Sequence, residues 1–491
     1  MSHSTRHKRR RSRSNDRFDT QMIANGVLLI LFALLAGIAS YTMYAHNILA
    51  FRHVNVIYTA VLVVVFLVCL LLTLFKKGKH LVTVLLVLFS IVVGVSLFAF
   101  KSLVDVADNI NKTASYSEIE MKVVVPANSS ISDVSELTNV QAPTSADESN
   151  INALIANIKS EKGVELTVDP VDSYQSAYEN LINGSSQAMV LNSSYSSLLE
   201  LSYNDYESNL KTIYTYKIKK AIEDTAKTTD KNVFNIYISG IDTSGAVSTV
   251  SRSDVNLILT VNMNTHKILM TTTPRDSYVR IPDGGADQYD KLTHAGIYGI
   301  ETSVKTLENL YDIPINYYAR LNFTSFVKLI NALGGVTVYN DQAFTSLHGN
   351  YNFGVGNINL TSGEEALGFV RERYSLEHGD YDRGNNQLKV IQAIVEKLTS
   401  FQSVSNYSDV ISTLQDSIQT NMPLNTMMSL VNEQLDSGKT FIFSSQEVTG
   451  TGSTGQLTSY AMPNASLYMI QLDDASVAKA SQAIKNVMEG K

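Results

Sequence analysis

The chain of 491 residues has a single cysteine, Cys69, and it lies inside a long apolar run. Outside that run no disulfide can form, and thiol catalysis and cysteine-ligated zinc are excluded. A part this large builds its own cores without covalent staples, a pattern that suits a bacterial exterior better than a eukaryotic secretory protein. Charge is missing from three stretches: residues 22–45, 54–75 and 81–100 contain no Asp, Glu, Lys or Arg. About 20 apolar residues carry a helix across the hydrocarbon of a bilayer, so each stretch is predicted to span it. Buried core helices are the alternative, but those are shorter and keep a polar stripe. Catalytic signatures are scarce as well. His266, His294, His348 and His378 show neither a triad context nor HExxH spacing. GTGSTGQ (450–456) lacks the Lys-Ser/Thr of a phosphate loop and reads as a flexible loop.

What is present begins with basic charge. The first 17 residues hold Arg6, Lys8, Arg9, Arg10, Arg11, Arg13 and Arg17 against Asp16. The loop between the second and third apolar runs has Lys76, Lys77 and Lys79, whereas the loop at 46–53 has only Arg52. Basic loops stay on the cytoplasmic side, so residues 1–21 are expected to be a cytoplasmic tail and everything after Lys101 extracellular. A cleaved signal peptide fits less well, because the first run is long and no small-residue cleavage site follows it closely. The whole chain carries −7 despite this basic tail, so the exported part is acidic. An acidic exterior is a poor general binder of nucleic acid. The tail could touch nucleic acid or anionic lipid, but fixing topology is its simplest job.

The exported part divides near residue 228. Residues 112–225 alternate strand-like runs, such as MKVVV (121–125), VELTV (164–168) and QAMVL (187–191), with helical segments, which predicts a small α/β accessory domain. A linker-like stretch, 226–232, leads to a second domain covering 232–491. There VFNIYISGI (233–241) ends at Asp242, and VNLILTVNM (255–263) follows Asp254. HKILMTTT (266–273) then runs back to Pro274, Arg275 and Asp276. With a two-residue turn at 264 and 265, paired positions sum to 529, and Asp254 faces Arg275 at one sheet end. Strand ends of open α/β sheets are where ligands bind.

Further along, helices are predicted over 297–311, 323–333 and 383–399, the last with Asp382 as its N-cap. Leu388, Ile391, Val395 and Leu398 mark its buried face. RERYSLEHGDYDRGNNQ (371–387) supplies Arg371, Arg373, Arg383 and Gln387, and Arg383 and Gln387 share a face at the start of that helix. Guanidinium forks bind phosphate and keep their charge. Two carboxylates, Asp242 and Asp254, suffice for magnesium when substrate phosphates complete its shell. The set reads as a pyrophosphate-plus-magnesium site. Its alternative is a collection of surface ion pairs such as Arg371 with Glu372 or Arg383 with Asp382. A prenyl tail would need an apolar slot, for which Phe326, Leu329, Ile330 and Leu333 are candidates. They could equally be core.

Six blocks in order, GIDTS…RSDVNLILTVN, TTTPRDSYVRIP, DIPINYYARLNF, LINALGGVTVYN, LTSGEEALGFVRERY and DYDRGNNQ, resemble the LytR-CpsA-Psr (LCP) family. The likeness covers 232 to the C-terminus. The three-helix anchor with an extra exported domain is similar to the capsule-locus members of that family in streptococci. The resemblance implies an α/β/α sandwich around a mixed central sheet, the LCP fold. It implies a phosphotransferase that moves a finished glycan, here capsular polysaccharide, from a polyprenyl-pyrophosphate carrier to a hydroxyl of cell-wall peptidoglycan. Its cofactor would be magnesium, with manganese as a substitute. Its partners would be the lipid-linked glycan, the peptidoglycan acceptor, the membrane and other capsule-assembly proteins. By resemblance Asp242 and Asp254 are the magnesium-linked acids, and Arg275, Lys291, Arg371, Arg373, Arg383 and Gln387 the pyrophosphate contacts. Arg275 and Asp254 would be catalytic, and Asp276 would either orient Arg275 or act as base. The family's usual Thr-Gln after the arginine is replaced by Gly384-Asn385-Asn386, with Gln387 retained. A different class of role also follows from the family's older association with transcriptional attenuation: a regulator of capsule biosynthesis.

Overall fold

The computed structural model describes residues 20–203, 205–222, 232–241, 246–400, 409–410, 412–413 and 417–491. The basic tail through residue 19, the stretch 226–231 and Asp242 lie outside the described residues. The chain forms two compact units, 1–104 and 105–491.

The first unit contains α1 (Thr20–Ala45), α2 (Val54–Leu74) and most of α3 (Lys79–Ala114), three helices long and apolar enough to cross a membrane. Leu29, Phe32, Leu62, Cys69, Leu86 and Val93 pack together where the helices meet, while Val27, Ile30, Val64 and Leu88 point outward. Helices apolar all round belong in lipid, which accepts the outward side chains that water would reject. The N-terminal helices are a membrane anchor. Asn25 finds partners in the Lys79 carbonyl at 2.9 Å and the Thr83 hydroxyl at 2.7 Å, so its polar group is satisfied within the bundle. Helix α3 continues past the expected end at residue 100 to Ala114.

The second unit holds two large sheets. The first has the order β3-β2-β4-β1-β5, from β1 (Tyr116–Pro126), β2 (Asn139–Ala142), β3 (Thr167–Pro170), β4 (Met189–Asn192) and β5 (Leu210–Ala221). Its helices are α4 (Thr144–Lys162), α5 (Tyr174–Ile182) and α6 (Ser196–Ser202). Met121, Val123 and Val125 of β1 pack with Ile151, Leu154 and Ile158 of α4, while Val124 joins Tyr174, Tyr178 and Leu181 of α5 on the other face. That alternation is the period of two that a sheet covered on both sides requires.

The second sheet is six-stranded and mixed. It is built from β6 (Val233–Ile241), β7 (Ser253–Asn262) and β8 (Lys267–Thr272), with β11 (Tyr317–Leu321), β16 (Ile418–Thr420) and β17 (Ile442–Glu447). The order is β16-β11-β6-β7-β8-β17, with β11 parallel to β6, β17 parallel to β8, and the other pairs antiparallel. Tyr237, Ile258 and Leu269 face one layer, where they meet α7 (Ile300–Tyr311) and Ile484 of the C-terminal helix α12 (Asp474–Met488). Leu257, Leu259, Ile268 and Met270 face the other, toward α10 (Asp380–Thr399) and α11 (Leu424–Ser437). This is the α/β/α sandwich. Strands covered on both faces read as nearly unbroken apolar runs, as VNLILTV does.

Smaller hairpins rim this sandwich: β9 (Tyr278–Ile281) with β10 (Gln288–Lys291), β12 (Val336–Asn340) with β15 (Gly356–Leu360), β13 (Phe344–Thr345) with β14 (Asn352–Phe353), and β18 (Gly450–Thr454) with β19 (Tyr468–Leu472). The last corrects one expectation. GTGSTGQ is largely a strand, because its alternate glycines let neighbouring chain pass closely: a Cβ at Gly450 would lie 2.3 Å from the Gln471 carbonyl oxygen. The helix expected over 297–311 is α7 from Ile300 onward; residues 297 and 298 instead end a 3-10 segment, Leu292–Tyr298, that Gly299 at φ +114° separates from it. Helices α8 (Phe323–Ala332) and α9 (Gly363–Arg371) complete the layer beside β12 and β15.

Candidate functional site

The site starts from a hairpin register. Leu257 pairs with Thr272 and Asn262 with Lys267, so paired positions sum to 529, although the loop between them spans four residues, 263–266, rather than two. Beyond the ladder, Thr273 donates its N–H to the Asn256 carbonyl at 3.0 Å. That continuation delivers Arg275 to Asp254, Nη1 to Oδ2, at 2.8 Å. The Thr293 hydroxyl donates to Oδ1 of Asp254 at 3.0 Å. Burial pushes the Asp254 carboxyl up, but the charges of Arg275, Arg252 and Arg383 and the Thr293 hydrogen bond outweigh it and hold the group below its usual range.

Asp276 and Lys291 stand behind this pair. A tight turn from Pro274 to Ser277, closed by a backbone bond of 3.1 Å, aims the Asp276 carboxylate at Lys291 Nζ, 2.6 Å away, with Arg275 Nε at 3.9 Å. Both side chains are about nine-tenths buried, and neither lines a cavity described below. Lys291 therefore differs from its expected place among the pyrophosphate contacts: its ammonium is taken up by Asp276. Next to it, Asp290 accepts from the Lys291 N–H, His294 Nδ1, Ser459 Oγ and the Ala461 N–H at 2.7–2.8 Å. That buried knot secures the segment carrying Lys291 and Thr293.

The other arginines come from the α9–α10 corner. Glu372 is buried and accepts the N–H groups of Leu347, Arg373 and Ser375 at 2.6, 2.9 and 3.0 Å. Its carboxylate thus pins the turn instead of pairing with Arg371, which leaves the two flanking arginines facing outward from it. The Arg371 guanidinium lies over the Phe323 ring at 4.3 Å, and that of Arg373 over Tyr374 at 4.6 Å. Helix α10 begins at Asp380, not at 383, so Asp382 is a first-turn residue. It accepts from Gln342 Nε2 at 2.8 Å and from the His378 N–H at 2.9 Å. Gln387 donates to the Val370 carbonyl at 3.3 Å and ties α10 to the end of α9.

These side chains converge on a cavity of about 640 Å³. At its charged end are Arg252, Asp254, Arg275, Arg371, Arg373, Arg383 and Gln387. Its body is apolar, with Ile238, Leu321, Phe323, Phe326, Leu329, Leu367, Val370, Ile391, Ile394, Val395 and Leu398. Of the four candidates for an apolar slot, Phe326 and Leu329 line it. Ile330 and Leu333 do not: they point into the core with Val336, Val338 and Leu360, because α8 presents adjacent faces to cavity and core. Leu388, Ile391, Val395 and Leu398, expected on the buried face of α10, do pack against the core, and all but Leu388 line this cavity as well. Arg252 carried no expectation, although it stands two residues before Asp254. Among the described residues no group of three or more His, Cys, Asp or Glu gathers as a metal site. Asp254 offers hard oxygen donors at the charged end, which suit a cation completed by phosphate oxygens, and the second acid, Asp242, lies outside the described residues.

The LytR_cpsA_psr family model matches residues 200–476. A second model, for a DNA polymerase processivity factor, matches residues 76–191, under a quarter of the chain, and takes in all of α3. The polyisoprenyl-teichoic acid–peptidoglycan teichoic acid transferase TagU of Enterococcus faecalis is 33% identical over 282 residues, covering 56% of this chain and 87% of that protein. The transferase of the same name from Oceanobacillus iheyensis is 35% identical over 232 residues, 46% of this chain and 69% of its own length. The crystal structure of B. subtilis TagU aligns with a TM-score of 0.41 at 28% identity, over 53% of this chain and 98% of that one.

Proposed function

Since the chain belongs to the LytR_cpsA_psr family, we propose that it is a membrane-anchored transferase that moves a glycopolymer from a polyprenyl-pyrophosphate carrier to peptidoglycan. The named relatives are polyisoprenyl-teichoic acid–peptidoglycan transferases, and the family resemblance carries the general reaction. The observation that carries the reading is one cavity with two characters. A slot of about 640 Å³ walled by Phe326, Leu329, Ile394 and Leu398 ends in five arginines and Asp254. An apolar chain terminating in a pyrophosphate has that same division. We take the glycan to be capsular polysaccharide, because the three-helix anchor with an extra exported domain is what makes the chain similar to the capsule-locus members of the family. Basic residues 76, 77 and 79 and the basic tail set the second unit on the outer side of the membrane.

In this mechanism the acceptor hydroxyl attacks the phosphorus that bears the sugar. A new O–P bond forms, the bridging P–O bond breaks, and polyprenyl phosphate leaves. Negative charge gathers on non-bridging and leaving oxygens. Arg275, Arg371, Arg373 and Arg383 place permanent positive charge there in a partly dry cavity, where each donor is worth more than in water. Asp254 orients Arg275. Asp276, fastened to Lys291, supports the same arginine from behind and is badly placed to take a proton. Asp254 and Asp242 would hold magnesium, or manganese, which supplies further charge neutralisation when bound.

The test uses the full chain in liposomes with a short polyprenyl-pyrophosphoryl glycan and uncross-linked peptidoglycan strands. Glycan should appear on the strands, polyprenyl phosphate should be released in equal amount, and chelation of divalent metal should stop both. Undiminished transfer by an Arg383→Ala protein would sink the site assignment.

A further inference from the structure

A second cavity lies against the same charged wall. It measures about 380 Å³ and shares Asp254, Arg275, Arg383 and Gln387 with the apolar slot. It adds elements that the slot does not touch, β17 with Glu447 and the β18–β19 hairpin with Tyr468, while α10, which lines both cavities, gives it Tyr381.

Three details show a built cleft. Glu447 is the last residue of β17 and stands opposite Thr272 in parallel register, at the sheet end from which Arg275 emerges. Across the cleft, Gly384 follows Arg383, and a Cβ on it would lie 3.8 Å from Glu447 Oε1. The carboxylate therefore reaches the N-terminal part of α10, and the missing side chain at 384 leaves space beside it. At Gly452 a Cβ would come within 2.1 Å of the Tyr468 hydroxyl oxygen, so only glycine lets that phenol lie across β18. The glycines of GTGSTGQ thereby find a role: they make room for one wall. Tyr381 and Tyr468 are both about half exposed and present flat faces of the kind on which sugar rings rest.

We propose that this cleft receives the acceptor, a hydroxyl-bearing glycan strand, and that Glu447 takes the proton from the attacking hydroxyl. The inference rests on the transferase reading above and adds the acceptor's place and the base. The two cavities then bring donor and acceptor together at the Asp254–Arg275 pair that both share. As the acceptor oxygen bonds to phosphorus, its proton passes to the Glu447 carboxylate. The polyprenyl phosphate leaves with the electrons of the broken P–O bond, and Glu447 returns its proton to solvent. Of the other acids near the centre, Asp254 holds Arg275 at 2.8 Å, and Asp276 lines neither cavity and so cannot meet an acceptor lying in the cleft.

The experiment uses the full chain in liposomes, a radiolabelled polyprenyl-pyrophosphoryl disaccharide as donor probe and uncross-linked peptidoglycan strands as acceptor probe. Donor binding and glycan transfer are measured separately. Glu447→Gln should bind donor as the wild type does yet transfer about 100-fold more slowly or worse, the usual range for a lost general base, and lose the acidic limb of the pH–rate profile. Gly384→Leu, which fills the cleft, should raise the acceptor KM with little change in kcat. Wild-type transfer by Glu447→Gln would overturn the proposal. So would a loss of donor binding in that variant as deep as its loss of transfer. If the wild-type protein itself bound no donor, the transferase reading would fall instead.

Discussion

Two acids in the second unit sit in opposite surroundings. Asp147 lies in α4, where the helix kinks, and accepts from Tyr174 at 2.6 Å, Asn150 at 2.6 Å and Asn192 at 2.8 Å. Burial pushes its carboxyl up, and these neutral donors with the charge of Lys220 only partly offset that. Asp254 is held down instead, because Arg275, Arg252 and Arg383 surround it. Enclosure alone therefore does not mark a site. Asp147 closes the end of a sheet against α5 and keeps neutral company, whereas Asp254 stands where cations converge and two cavities open. The five-stranded sheet uses its acid for cohesion, and the six-stranded sheet keeps its own available for charge chemistry.

The largest effect that separates them is on turnover. Arg275→Ala should slow glycan transfer by about 10²–10³-fold, the range for removing one donor aimed at developing negative charge. Some stability should go with it, because Asp254 loses its nearest counter-charge, but Arg252 and Arg383 remain beside that carboxylate, so the loss of transfer should far exceed the loss of folded protein. Measured transfer rates and melting of the full chain in detergent check this, and a variant that melts early with proportionate activity loss would break the contrast. Asp147→Ala should do the reverse. It strands the buried Tyr174 hydroxyl and the Asn192 amide, at about 1–3 kcal/mol for each unsatisfied group. Hydrogen exchange over 144–195 should accelerate accordingly, while the folded fraction transfers glycan at the wild-type rate.

A smaller effect concerns the slot. Phe326→Ala should weaken binding of a long-chain polyprenyl pyrophosphate roughly tenfold, near the lower end of what burying a large apolar side chain is worth. A short-chain analogue that keeps only the charged head should bind unchanged. Equal losses for both would mean that Phe326 supports the arginines rather than the lipid chain.

Much of this geometry was legible in the sequence. The register that sets Asp254 against Arg275 followed from alternation on both sides of one turn, and it survived a wrong loop length because the loop grew symmetrically about the same centre. The arginine set was legible because 371–387 concentrates it in one stretch. The apolar slot was half legible. Periodicity reports which face of α8 or α10 is apolar, but core and cavity demand the same residues, so Ile330 and Leu333 could not be told from Phe326 and Leu329. Arg252 was missed because a basic residue beside an acid reads as a surface pair. Glu447 was missed for a different reason: it reaches the site by parallel pairing of an edge strand 175 positions beyond its partner Thr272, and no local pattern announces such a contact.

The smallest predicted effect is the dependence of stability on pH, and it carries the comparison to the level of sign. Asp147 has a raised carboxyl when folded, so the folded state binds its proton more tightly than the unfolded chain does. The resulting stabilisation is complete below the unfolded value of about 3.9 and is lost as pH rises through the folded value. Asp254 has a lowered carboxyl, so its contribution is present above about 3.9 and disappears only as pH falls through the folded value. Urea unfolding of the full chain across acidic to neutral pH should therefore show the wild type losing its advantage over Asp147→Asn as pH rises. Against Asp254→Asn it should hold its advantage over the same range and lose it only in strong acid. Parallel curves for the two variants would show that both acids feel the same environment, and the distinction between a cohesive acid and a site acid would have to be abandoned.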